Sequence, residues 1–155
     1  MEVLQYVLLV LVSYLGLLAG FIISWMAKEE LLIGRKYFAI LKAVAFGLIF
    51  MNFMYYLKIN TIISVLMSTV AGVFCFVLGF SSLDLFFYSL FALFIYEMRN
   101  SDALPFTGIL IFIYGLATSS LEMKPHKKIL HSMIKIFGKR SVYLLISFVL
   151  LAIRL

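Results

Sequence analysis

Glu30 and Lys36 close the first apolar run of this chain as E-x5-K, and Glu122 and Lys128 close the fifth with the same spacing. Gly16 and Gly108 precede the two pairs at the same offset of 92 residues. Two stretches related in this way suit a parallel repeat about an axis along a membrane normal. Such a repeat gathers Glu29, Glu30, Arg35, Lys36, Glu122, Lys127 and Lys128 at one mouth. Mixed charges there either bind a phosphate head group or close a gate as ion pairs. The plainer alternative is that these residues form connectors whose charges only orient the chain.

Lys42 is the strongest single candidate, because ionisable groups within apolar helices default to function. It lies about 7–8 Å into the second apolar run at helical rise. Its long stem either snorkels back to the head groups or turns inward to a partner. Asn52 suits an interhelical hydrogen bond. Asp84 follows Ser81, Ser82 and Leu83 in a capping-box pattern, with Asp in place of Glu, which predicts a helix cap rather than a proton carrier.

Other chemistry has no carrier. The sequence holds no GxSxG, HExxH, CxxC, Walker A or GxGxxG pattern. His126 and His131 point about 140° apart on a helix, which suits no joint metal site. Cys75 is alone in an apolar run and pairs with nothing in the chain. No catalytic residue, cofactor or metal ligand is expected.

The elements that must position these groups are apolar helices. Hydrophobic residues make up 65% of the 155-residue chain and charged ones 13%. So small a chain cannot hide that much apolar surface in a water-facing core, so the bilayer is the expected solvent. The net charge of +6 then reports basic loops rather than nucleic-acid binding. Glu2 is the only charge before Lys28, which argues against a cleaved signal peptide.

Six runs stand out at about 3–27, 37–57, 61–80, 83–98, 106–123 and 141–153. The expected fold is all-α: one polytopic membrane bundle of six transmembrane helices, or five if the short last run does not cross. That last run either continues the helix before it, thins the bilayer or stays on one side. Pro105 suits the first turn of the fifth helix, and Pro125 its termination.

With the N-terminus outside, the cytoplasmic face collects Lys28, Arg35, Lys36, Lys42, Lys124, Lys127, Lys128, Lys135, Lys139 and Arg140, ten cations in all. The outer side holds Lys58, Arg99 and Arg154. The positive-inside rule therefore predicts an N-out cell-membrane protein with loops 28–36 and 124–140 in the cytoplasm. Trp25 and Tyr37 would anchor the first connector at head-group depth.

Residues 126–137 read as a separate basic helix on the cytoplasmic leaflet. Ile129, Leu130, Met133, Ile134 and Phe137 share one face, Lys127, Lys128, His131 and Lys135 fall elsewhere, and Gly138 suits a C-terminal cap. Anionic lipid head groups are the expected partners of residues 124–140.

Small residues recur every four positions at Gly16 and Gly20, at Ala39, Ala43 and Gly47, at Ser68 and Gly72, and at Gly115 and Ser119. Such stripes let helices approach closely in lipid, within one chain, in a homo-oligomer or against another membrane subunit. The expected function is an accessory or structural subunit acting through helix contacts. The alternatives are an oligomeric transporter or channel, and a lipid-processing enzyme built on the cytoplasmic charges.

Overall fold

The computed structural model describes residues 3–27, 29, 31–78, 83–123 and 129–153. Six α-helices account for nearly all of them: α1 (Val3–Met26), α2 (Leu31–Tyr56), α3 (Thr61–Leu78), α4 (Asp84–Glu97), α5 (Leu104–Glu122) and α6 (Ile129–Ala152), with one 3-10 turn at Met98–Asn100. Val3–Met26, Gly34–Tyr56 and Leu104–Glu122 are long and apolar enough to cross a membrane. Thr61–Val77 is apolar but shorter, and the 14 residues of α4 reach only about 21 Å.

Two expected boundaries move. α2 begins at Leu31, so Arg35 and Lys36 ride on its first turns and the connector is shorter than 28–36. There is no break between an interfacial helix and a last span. Residues 129–152 form one helix, and Gly138 lies inside it rather than at a cap, with open space where a Cβ would stand. The reason lies in the stripe Ile136, Arg140, Tyr143 and Ser147, buried at helical spacing across the supposed junction. Packing holds the helix through a glycine that propensity alone would make a stop. Ile134 points away from the bundle, Phe137 is half-buried, and the side chains of Ile129, Leu130 and Met133 lie outside the described set, as does Lys127–Lys128.

Side-chain contacts fix the helix directions. Leu9 meets Gly108, Gly16 meets Phe112 and Gly20 meets Leu116, so α1 and α5 run parallel. Tyr6, Ser13 and Tyr14 of α1 bond to Ser147, Tyr143 and Phe137 of α6 in the opposite order, so that pair is antiparallel. Phe46 packs on Phe87 and Phe53 stacks on Phe94, so α2 and α4 run parallel. Gly47 approaches Ser68 while Ala43 approaches Gly72, so α2 and α3 are antiparallel. Asn52 bonds Thr107 while Phe46 packs on Tyr114, so α2 and α5 are antiparallel and the six helices alternate in direction along the chain.

α5 is central, packed on α1 and α2, and α4 packs on α6. Gly16 and Gly20 make the α1–α5 contact possible, since a Cβ at either would strike the α5 backbone at Phe112 or Leu116. α3 packs chiefly on α2 and leaves Ile62, Leu66, Val70 and Val77 exposed. Its link to α2 is a Schellman-type turn: Lys58 N–H bonds Tyr55 O, Ile59 N–H bonds Met54 O, and Lys58 takes φ 57°.

A candidate functional site of four converging charges

Four helices each place one ionisable side chain at the level where α4 begins and α5 ends. Lys42 of α2 donates to Asp84 Oδ1 at 2.7 Å. Asp84 is the first residue of α4, and its other oxygen accepts from Arg140 Nη2 of α6 at 2.9 Å. Arg140 in turn forks onto Glu122, the last residue of α5, through Nη2–Oε1 at 2.9 Å and Nη1–Oε2 at 3.0 Å. Among the described residues the result is a chain of alternating sign, Lys–Asp–Arg–Glu, with no net charge.

The chain is shielded. The side chains of Lys42, Asp84 and Arg140 are 8%, 3% and 1% exposed, and Glu122 is 16% exposed. Burying any one of these charges alone costs several kcal/mol, roughly, so each requires its neighbour. Neutral groups complete the shell. Tyr114 donates to Asp84 Oδ1 at 3.1 Å, and Arg140 Nη1 donates to the Ile136 carbonyl at 3.2 Å. The Tyr114 and Tyr88 rings lie 5.5 Å from Lys42 Nζ and 5.7 Å from Arg140 Cζ, within cation–π reach. Among the described side chains of this cluster, Arg140 Nε–H and the Tyr88 hydroxyl are buried without a hydrogen-bond partner.

Local sequence explains why these side chains point inward. On α6, Arg140, Tyr143 and Ser147 repeat at spacings of three and four, and all are buried. On α2, Lys42 lies on the face that carries Ala45, Phe46 and Ile49 inward. At α4, Leu83 stands at the N-cap without a side-chain cap bond. Asp84 is therefore not the cap that its surroundings suggest. Its carboxylate turns across the bundle, where two cations hold it by charge-assisted hydrogen bonds.

Of the charged cluster expected at one mouth, the structure brings together Lys42 and Glu122, linked through Asp84 and Arg140. Glu29, Arg35 and Lys36 are exposed and take no part in the chain. Glu30, Lys127 and Lys128 lie outside the described residues, and with them both halves of the E-x5-K comparison. Arg140, counted among the solvated cations of the linker, is instead one of the most deeply buried side chains. Sequence reasoning missed Asp84 and Arg140 as partners. The readable signal for Arg140 was the polar stripe that continues from it to Tyr143 and Ser147.

The small-residue positions fall at helix contacts or beside them. Gly16 and Gly20 face α5, where Ser119 lies against Gly20, and Gly115 faces Leu17 and Tyr88. Ala43, Gly47, Ser68 and Gly72 meet between α2 and α3, and Ala39 is half-buried one turn away. Farther along, Asn52 Nδ2 donates to Thr107 Oγ1 at 2.6 Å and ties α2 to α5. No family model, curated protein or solved structure matches this chain.

Proposed function

We propose that this chain is an integral membrane protein of six crossings that works through helix–helix contacts, as an accessory or structural subunit. The observation that carries the reading is the charge chain of Lys42, Asp84, Arg140 and Glu122. Charges at bilayer depth cost about 3 kcal/mol each when unpaired. Here they are consumed by one another, one from each of four helices, which suits a lock on helix arrangement better than a reacting centre.

Three further observations agree with membrane placement. Three helices have the length and composition to cross. The alternation of direction along the chain suits successive crossings. With Lys42 and Arg140 withdrawn into the bundle, the remaining Lys and Arg residues still favour the N-out threading by eight to three. α3, held chiefly by α2, offers a free apolar helix surface for a neighbouring subunit.

Purification in mild detergent tests the reading. A stoichiometric, different membrane protein in the complex supports the accessory role. A stable homo-oligomer overturns it in favour of a transporter or channel, the second reading that buried ionisable groups favour. A monomer carrying tightly held lipid overturns it in favour of lipid processing.

A further inference from the structure

The links of the charge chain are not equivalent. Lys42, Asp84 and Arg140 are enclosed by four helices, and Asp84 cannot leave without unpacking α4. Glu122 is the most exposed of the four and is the last residue of α5, where the backbone turns extended at Met123 (ψ 124°). Rotation of its side chain alone frees the end of the Arg140 guanidinium. Without Glu122 the described charges enclosed here are two cations and one anion, a net +1 among the described residues that favours an anion beside Arg140.

The same place is richer in donors than in acceptors. Arg140 uses Nη1 and Nη2 on Glu122, Asp84 and Ile136, yet its Nε–H has no acceptor. The Tyr88 hydroxyl, on a ring beside that guanidinium, has none either. Each unsatisfied buried donor costs about 1–3 kcal/mol. A carboxylate brings two oxygens, and Glu122 spends both on the two Nη atoms. A phosphate group brings more oxygens, carries at least the same charge and matches the guanidinium fork.

We propose that Arg140 is the receptor of a phosphate-type oxyanion and that Glu122 is the internal carboxylate occupying its place. Lys42 and Asp84 stay paired and hold Arg140 in position, while Glu122 is exchanged for the ligand. The oxyanion comes either from a lipid head group or from free phosphate. This inference rests on the membrane reading, but not on whether the chain has a partner subunit.

The test uses the full chain with two probes. Inorganic phosphate is titrated into protein held in phosphatidylcholine nanodiscs, and phosphatidate retained from mixed phosphatidylcholine–phosphatidate vesicles is counted by native mass spectrometry. Wild-type protein should bind at least one probe. Glu122→Gln, which removes the internal competitor, should bind it about tenfold more tightly. Arg140→Lys, which keeps the charge but loses the fork and Nε–H, should bind it at least tenfold more weakly. Binding of both probes identifies free oxyanion as a ligand, and retention of phosphatidate alone identifies the head group. If Arg140→Lys does not fold, the wild-type Arg140 Nε–H resonance should shift on adding the bound probe. Binding of neither probe, an unchanged Glu122→Gln affinity, or an unmoved Nε–H resonance overturns the proposal.

Discussion

Asp84 Oδ2 and Arg140 Nη2 lie 2.9 Å apart, on side chains 3% and 1% exposed. They belong to α4 and α6, which share no connection, and their bond places the start of one helix against the middle of the other. Asp84 also holds Lys42 from α2. One carboxylate thus joins three helices.

The links should differ in what they cost to break. Asp84→Asn leaves two buried cations facing a neutral amide and should destabilise the protein by about 3–5 kcal/mol. Lys42→Met leaves Asp84 its pair with Arg140 and places an apolar chain of similar length in the site, so its cost should be clearly smaller. Unfolding in mixed micelles with added denaturing detergent measures both. Equal costs for the two would show that Asp84 is not the shared link.

Two glycines should respond with opposite sign. A Cβ at Gly16 would strike the Phe112 backbone of α5, which no rotamer can relieve, so Gly16→Ala should destabilise by about 1–3 kcal/mol. Gly138 has nothing within 4 Å and lies inside α6, so Gly138→Ala should stabilise by about 0.5–1 kcal/mol. A destabilising Gly138→Ala would mean that residues 129–152 are not one continuous helix.

Lys58 occupies left-handed backbone at φ 57°, where a side chain costs about 1 kcal/mol relative to glycine. Lys58→Gly should therefore raise stability while leaving the α2–α3 turn unchanged. A loss of stability would indicate that the Lys58 side chain makes a contact worth more than its backbone strain.

Much of this architecture was legible in the sequence, and its centre was not. All-helical structure follows from long apolar runs, and Pro105 marks the first turn of α5 because its missing N–H costs nothing there. Gly138 misled, because helix continuity at that point depends on the buried stripe from Ile136 to Ser147 rather than on local propensity. The charge chain was hidden for a different reason. Lys42, Asp84, Glu122 and Arg140 lie far apart in sequence, and none has its partner on its own helix. Only the packing of α4 on α6, with α2 alongside, makes them neighbours. Lys42 was recognisable as a candidate because its apolar surroundings demanded an explanation. Arg140 followed a basic stretch that supplied a ready but incorrect one.

The membrane placement has its own check. On a Cys75→Ser background, a cysteine at exposed Arg35 should be labelled only from the cytoplasmic side, and one at Asn100 only from outside. Labelling of Arg35→Cys from outside would reverse the threading.

The central claim is that opposite charges on separate helices hold one another inside the bundle. A double-mutant cycle on Asp84→Asn and Arg140→Gln measures it most directly, with unfolding free energies for wild type, both single variants and the pair. Each single change should cost about 3–5 kcal/mol, because Asp84→Asn strands Lys42 and Arg140→Gln strands Glu122, and each leaves an unbalanced charge among the four. The double change returns the net charge of the four to zero, although Lys42 and Glu122 still lack their direct partners, so it should cost at least about 2 kcal/mol less than the sum. Additive costs, with no coupling between the two positions, would contradict the ion-pair lock.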